Sequence, residues 1–133
     1  FDKIMVDAPC SGIGTIRKSP ETPNTWNPNF VKKLAKIQKG LLETAFNCLN
    51  EKGTLVYSTC TLEPEENEGV VDNLLEKHPN AKLEKINLEI KRSPVVLKFE
   101  GKEYSKEIEK CLRIFPQDND TEGFFVAKIR KAY

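Results

Sequence analysis

Three features of the chain predict an α/β fold in which parallel strands are finished by an antiparallel edge pair. Short apolar runs at Asp2 to Val6 and Thr54 to Thr59 are separated by a segment of helical periodicity, the alternation that builds a parallel sheet. Two later runs, Leu112-Arg113-Ile114-Phe115 and Gly123 to Ile129, are joined only by the polar loop Gln117 to Glu122, the pattern of an antiparallel pair. Each of the first two runs leads directly to a cysteine, Cys10 after Ile4-Met5-Val6 and Cys60 after Thr54-Leu55-Val56-Tyr57. In an open α/β sheet, groups just past the carboxyl ends of strands converge on one crevice, so the two thiols are placed to share a substrate.

The elements follow in order. Asp2 to Val6 reads as a buried strand, and Gly12-x-Gly14 opens a tight loop that runs through Arg17-Lys18 into the Pro-rich connection Ser19 to Pro28. Asn27 as N-cap with Pro28 at the first helical position starts a helix, whose inward face is expected at Phe30, Leu34, Ile37, Leu41, Ala45 and Leu49. Gly53 marks its exit. Thr54 to Thr59 is short and rich in β-branched and aromatic residues, a second buried strand. A second helix is expected from about Pro64 to Pro79, with Glu63, Glu65, Glu66 and Glu68 complementing the positive end of its dipole and Val70, Val71, Leu74 and Leu75 facing inward. Lys82 to Leu88 alternates weakly as a strand, and the charged stretch Asn87 to Lys110 holds at most a short hairpin around Val95 to Phe99 and Gly101. The alternation of strands and helices predicts a sheet covered on both faces.

Composition narrows the classes. The chain has 133 residues and 38% hydrophobic content, enough for one small core. It opens on Phe1-Asp2-Lys3-Ile4 without a lead-in, which suggests a piece of a longer protein. No apolar run approaches a membrane span and no signal peptide is visible, so a soluble, cytoplasmic protein with no membrane partner is expected. Cysteines at positions 10, 48, 60 and 111 form no Cys-x-x-Cys pair and no cluster with histidine, which argues against a metal site. Reduced thiols are expected in that compartment. A net charge of +1 lacks the basic excess of a typical nucleic-acid binder, so any such surface is local.

Chemistry concentrates in few side chains. A thiolate is the reactive form of cysteine, and Cys60, between a strand end and a helix start, is placed where backbone N–H groups favour negative charge, while the nearby glutamates oppose it. Cys60 is therefore either a nucleophile or a small buried apolar residue. Cys10, between Pro9 and Gly12, sits in a loop that lets a ligand approach closely, or packs in a turn. Asp7 ends an apolar run, where a carboxylate needs partners or an altered pKa; the competing reading is a side chain that bonds the backbone of its own turn. Cys48 and Cys111 fall on apolar faces and read as core. His78, the one histidine, lies at a helix end beside Pro79, so a Cys-His or Ser-His-Asp hydrolase has no base here. Lys32, Lys36 and Lys39 form a stripe that either meets a polyanion or is a solvated helix face. Trp26 either stacks on a base or anchors its loop.

Several motifs occur together in order. Asp7-Ala8-Pro9-Cys10-Ser11-Gly12-x-Gly14 with Arg17-Lys18 and Pro20, then Gln38, then Tyr57-Ser58-Thr59-Cys60-Thr61 with Pro64-Glu65-Glu66-Asn67-Glu68, resemble the Nop/Sun family of RNA (cytosine-5) methyltransferases. Arg113-Ile114-Phe115-Pro116 and Gly123-Phe124-Phe125-Val126-Ala127 are similar to that family's closing strands, although Gln117 stands where the family often has histidine. The resemblance implies the second half of a Rossmann-like class I methyltransferase fold, S-adenosylmethionine as cofactor and tRNA or rRNA as substrate. It implies Cys60 as the nucleophile at C6 of the target cytosine, Cys10 as the residue that helps remove the C5 proton and expel the enzyme, and Asp7 as the contact to the pyrimidine N3/N4 edge and to the cofactor. The family's Gly-rich cofactor loop and ribose-holding acid have no counterpart. Residues 1–133 are accordingly expected to be a partial methyltransferase catalytic domain, lacking the N-terminal cofactor-binding half.

Three rivals stand beside this. A cysteine-dependent phosphatase would use Cys10 and Arg17 as a Cys-x5-Arg loop, but six residues intervene. DNA cytosine enzymes also place a Pro-Cys after this strand, which would make Cys10 the nucleophile. The third rival is a non-catalytic binding fragment.

Overall fold

The computed structural model describes residues 1–133. Strand β1 (Lys3–Asp7) leads through a Pro-rich connection to helix α1 (Pro28–Cys48), then to β2 (Thr54–Thr59), α2 (Glu68–Lys77) and β3 (Ala81–Glu84). A small hairpin, β4 (Lys98–Phe99) and β5 (Lys102–Glu103), precedes β6 (Leu112–Ile114), the single turn α3 (Pro116–Asn119) and β7 (Phe124–Lys131). β1 and β2 pair in parallel, with Ile4 opposite Leu55 and Val6 opposite Tyr57. β6 and β7 form the expected antiparallel pair. β7 also runs antiparallel between β2 on one side and β3 on the other, giving the order β1-β2-β7-β3. β3 and β6 share the second edge of β7, β6 at Phe124 to Val126 and β3 at Lys128 to Lys131.

The sheet is covered on one face, which corrects the expectation of helices on both. The crossovers β1-α1-β2 and β2-α2-β3 advance in the same direction along the sheet, and crossovers of one hand then lay both helices on the same side. Leu42 and Phe46 of α1 and Val70, Val71 and Leu74 of α2 pack on Leu55, Tyr57, Phe125, Ala127 and Ile129. The strands consequently alternate in burial, and Met5 on the uncovered face is 71% exposed.

The start of α1 is as expected: Asn27 Oδ1 accepts from the backbone N–H of Phe30 at 2.8 Å, with Pro28 in the first turn. Its inward face differs. Val31, Leu34, Ala35, Gln38, Leu42 and Phe46 are buried, whereas Phe30, Ile37 and Leu41 are 38%, 44% and 42% exposed. Two apolar stripes overlap on this helix, and the one turned inward carries Gln38, a polar residue that a count of apolar positions rejects. Helix α2 begins at Glu68, later than Pro64 suggested. Asn67 has a non-helical backbone (φ −113°, ψ −95°), and its side chain is bonded to Thr59 and Thr61, so residues 64–67 are held as turns. The hairpin lies where expected, with positive φ at both Glu100 (49°) and Gly101 (81°), as its two-residue loop requires. No helix is long and apolar enough to cross a membrane.

Candidate active site

β1 and β2 end side by side, with Asp7 opposite Ser58, and the loops that follow bring Cys10 Sγ and Cys60 Sγ to 2.9 Å in a half-buried crevice. The two backbones are tied directly. Gly14 N–H donates to the carbonyl of Cys60 at 2.9 Å, and Gly123 N–H donates to the carbonyl of Gly14 at 2.8 Å. A Cβ on Gly14 would lie 2.5 Å from both the Cys60 and Gly123 carbonyl oxygens, so only glycine allows this approach.

The thiols differ in acidity. The hydrogen bond from Cys10 holds Cys60 at about 7, against the opposing effects of burial and of the carboxylates of Asp7 and Glu122. Cys10 is pushed far above the ordinary thiol range, first by donating that hydrogen bond to Cys60 and then by burial. The glutamate run after Cys60, expected to oppose its ionisation, does not face it. Nor does the dipole of α2 assist, since that helix starts eight residues further on.

Two of those glutamates are fully buried and engaged elsewhere. Glu66 accepts from Ser11 N–H (2.8 Å), Ser11 Oγ (2.6 Å) and Gln38 Nε2 (3.0 Å), with Thr61 Oγ1 at 3.4 Å. Ser11 Oγ and Thr61 Oγ1 are 2.8 Å apart; with the Ser11 proton on Glu66, Thr61 donates to Ser11. Gln38 also donates to the carbonyl of Pro9 at 2.7 Å, and Tyr57 Oη donates to the carbonyl of Glu66 at 2.8 Å. Glu68 forms a bidentate pair with buried Arg113, at 2.6 and 2.9 Å, and Arg113 donates to the carbonyl of Leu62 at 2.7 Å. Sequence reasoning assigned neither Glu66 nor Gln38 a place at the site. The available signal was that Gln38 and Glu66 both stand among the ordered motif residues that carry the family resemblance.

The Asp7 carboxylate is exposed at the end of β1 and has no hydrogen-bond partner within the chain, so it is neither buried nor tied to its own turn. Cys111 is buried, and burial pushes its thiol up; Cys48 is exposed, contrary to the core assignment. Trp26 anchors its loop, its indole N–H donating to Glu63 Oε1 at 3.0 Å. Arg17 is held by Asp120 Oδ1 at 2.6 Å and by the carbonyls of Pro116 and Thr121, turned to α3 and its following turn and away from any phosphate loop at Cys10. Lys32, Lys36 and Lys39 line a cavity of about 420 Å³ beside the hairpin, where Glu65 and Glu100 offset part of their charge.

An open α/β sheet whose crevice lies past the carboxyl ends of adjacent parallel strands is a Rossmann-like fold, and solved methyltransferases share that fold. A methyltransferase homolog protein from Pyrococcus horikoshii superposes with a TM-score of 0.82 at 40% identity, over 98% of this chain and 39% of that one. NSun6 from Pyrococcus horikoshii, solved with SFG, gives 0.79 at 34% identity over 99% of this chain and 30% of its own. The family model described as 16S rRNA methyltransferase RsmB/F matches residues 1–130, and the chain belongs to that family. It is 51% identical over 131 residues to a tRNA (cytosine(49)-C(5))-methyltransferase of Pyrococcus abyssi. To ribosomal RNA small subunit methyltransferase F of Aliivibrio fischeri it is 45% identical over the same length. Both alignments cover 98% of this chain, but it spans only 42% and 26% of the two relatives.

Proposed function

We propose that this chain carries the thiol chemistry of an RNA (cytosine-5) methyltransferase, which moves a methyl group from S-adenosylmethionine to C5 of a cytosine in tRNA or rRNA through a covalent bond from Cys60 to C6. The observation that carries the reading is the pair of thiols 2.9 Å apart, one of them acidified, on a chain of this family. The relatives' names support RNA as the substrate. A cytoplasmic location goes with the reading, because thiols are kept reduced there.

The chain's residues divide the work. C5 of cytosine is a poor nucleophile until Cys60, as thiolate, adds to C6; the sulfur lone pair forms the S–C6 bond and the C5–C6 π pair moves onto C5. S-adenosylmethionine, when bound, supplies the electrophilic methyl group for that carbon. Loss of the C5 proton then lets its bonding pair re-form the C5–C6 double bond, and the S–C6 pair leaves with Cys60 as thiolate. Cys10 takes that proton. While Cys60 is ionised Cys10 holds its own proton; once the Cys60 charge is consumed in the S–C6 bond the main cause of that retention is gone, Cys10 releases its proton to solvent through the half-open crevice, and as thiolate it is free to take the C5 proton. The base must be unpaired or flipped out to reach the crevice.

Asp7 fits the remaining role on its own geometry: an exposed carboxylate at the same rim, with no partner in the chain, is free to accept from the cytosine 4-amino group and to hold the cofactor. The neighbour solved with SFG, an S-adenosylmethionine analogue, supports this cofactor. In this reading residues 1–133 are the substrate-facing part of a catalytic domain whose Gly-rich cofactor loop lies outside them. Calorimetric titration of these 133 residues with S-adenosylmethionine should then show binding weaker than micromolar; a value near −8 kcal/mol would relocate the cofactor site.

The test of the mechanism is a denaturing gel of the protein carrying these residues, incubated with unmodified RNA and S-adenosylmethionine. Cys60→Ala should give neither methylated product nor covalent protein–RNA species. Cys10→Ala should accumulate a denaturation-resistant adduct. The reverse pattern would exchange the roles and favour Cys10 as nucleophile, while loss of adduct in both would leave the thiols needed only for folding or binding.

A further inference from the structure

We infer that Glu66 is a positioning residue for the reaction: it clamps the loop after β1 to the loop after β2 and thereby sets the contact between Cys10 and Cys60. The inference rests on the covalent mechanism above for its meaning, but not for its test.

The geometry is specific. Glu66 bonds the backbone N–H and hydroxyl of Ser11, the residue after Cys10, and reaches Thr61, the residue after Cys60. Gln38 closes the arrangement from α1, donating both to Glu66 and to the carbonyl of Pro9, the residue before Cys10. One buried carboxyl group thus touches the chain on either side of the crevice and touches neither sulfur. Gln38 Oε1 is left buried without a partner, so the clasp is kept at a cost to stability that a merely packed interior would avoid. A carboxyl group suits this place because it offers acceptor sites only, and Ser11 N–H, Ser11 Oγ and Gln38 Nε2 are all donors.

Without Glu66 the two loops keep the Gly14 to Cys60 backbone bond and the Ser11 to Thr61 hydroxyl contact, and Gln38 still holds the Pro9 carbonyl, but the backbone of Ser11 loses its acceptor and the Cys10-Ser11 segment is held less firmly. The Cys10 to Cys60 hydrogen bond is the largest cause of Cys60 acidity, so loss of positioning has a chemical signature. The experiment is the pH dependence of iodoacetamide alkylation, read by mass spectrometry on the Cys60 peptide of the folded chain, with no RNA or cofactor. Wild type should show a midpoint near 7. Glu66→Ala should move it up toward the free-cysteine range of roughly 8.5, with an about tenfold loss of rate at neutral pH. Glu66→Gln should restore the wild-type midpoint, because its amide oxygen can still accept from Ser11 N–H and Gln38 while its amino group donates to Ser11 Oγ, whose proton turns to Thr61. Leu74→Ala, a core truncation remote from both loops, should lower stability without moving the midpoint. If Glu66→Ala does not fold, Ser11→Ala replaces it and should move the midpoint in the same direction by a smaller amount. An unmoved midpoint in Glu66→Ala, or in Ser11→Ala where that stands in, overturns the inference, as does an equal shift in Leu74→Ala. Because no RNA is present, these outcomes are independent of whether the chain acts on cytosine.

Discussion

The loops that leave β1 and β2 start from opposed residues of one parallel ladder, yet they are built and tuned differently. The first is shaped by Pro9 and by the left-handed Gly12 (φ 73°) and is held in place from outside by Glu66 and Gln38. The second is knotted internally: Thr59 Oγ1 donates to Asn67, and Asn67 Nδ2 returns to the carbonyl of Thr61. The same contrast runs through the thiols, with Cys60 held at about 7 and Cys10 far above the ordinary range. One proton shared across 2.9 Å divides two identical side chains into an acidic thiol and a weakly acidic one, and strand position alone does not.

The largest effect should come from the frame behind the second loop. Arg113→Ala leaves Glu68 charged and buried without its partner and frees the Leu62 carbonyl, so it should cost about 3–5 kcal/mol in urea unfolding. Glu66→Ala ranks next. It strands two buried donors of Ser11 and one of Gln38, and a loss of about 3 kcal/mol is expected by the same measurement. A stability change below ~1 kcal/mol for either would mean that water or backbone shifts replace the lost bonds, and for Glu66→Ala the claim that the first loop is held from outside would fail.

Gly14→Ala tests where the loops meet. The added methyl must push apart the backbones of residues 14, 60 and 123, so about 1–3 kcal/mol should be lost, as for an overpacked interior. Chemical-shift changes should centre on Cys60 and Gly123. A silent substitution there would show that the loops are not locked at that contact.

Much of this architecture is legible in the chain. The Asn27-Pro28 start of α1, the strand at Thr54 to Thr59, the hairpin at Gly101 and the β6-β7 pair rest on local signals, and local chemistry is what forms them. The convergence of Cys10 and Cys60 was readable too, because strand-end geometry in α/β sheets is general. What was not legible depends on partners far along the chain. Gln38 looks like a surface residue until Pro9 and Glu66 are known to meet it, and that misread shifted the apolar face of α1 onto Phe30, Ile37 and Leu41. Glu66 and Glu68 look like dipole complement until Ser11 and Arg113 are seen opposite them. Cys48 was misplaced by the same shift of face.

The smallest effect on stability should come from the substitution that says most about the comparison. Cys10→Ala removes a half-buried thiol whose one side-chain hydrogen bond is to Cys60, so urea unfolding should change by no more than about 1 kcal/mol. The reactivity of Cys60 should nevertheless change sharply. In wild type the lowered pKa makes alkylation rise through about pH 7 and level off above it, since the thiolate fraction grows as pH exceeds the pKa. Without the Cys10 donor the ordinary range returns, only a few per cent of Cys60 is thiolate at neutral pH, and the rate there should fall roughly tenfold while the plateau at high pH is kept. A Cys60 midpoint that stays near 7 in Cys10→Ala would trace the acidity to the second loop's own backbone. The two thiols would then be tuned separately, and the contact between them would be a consequence of the fold and not its chemical purpose.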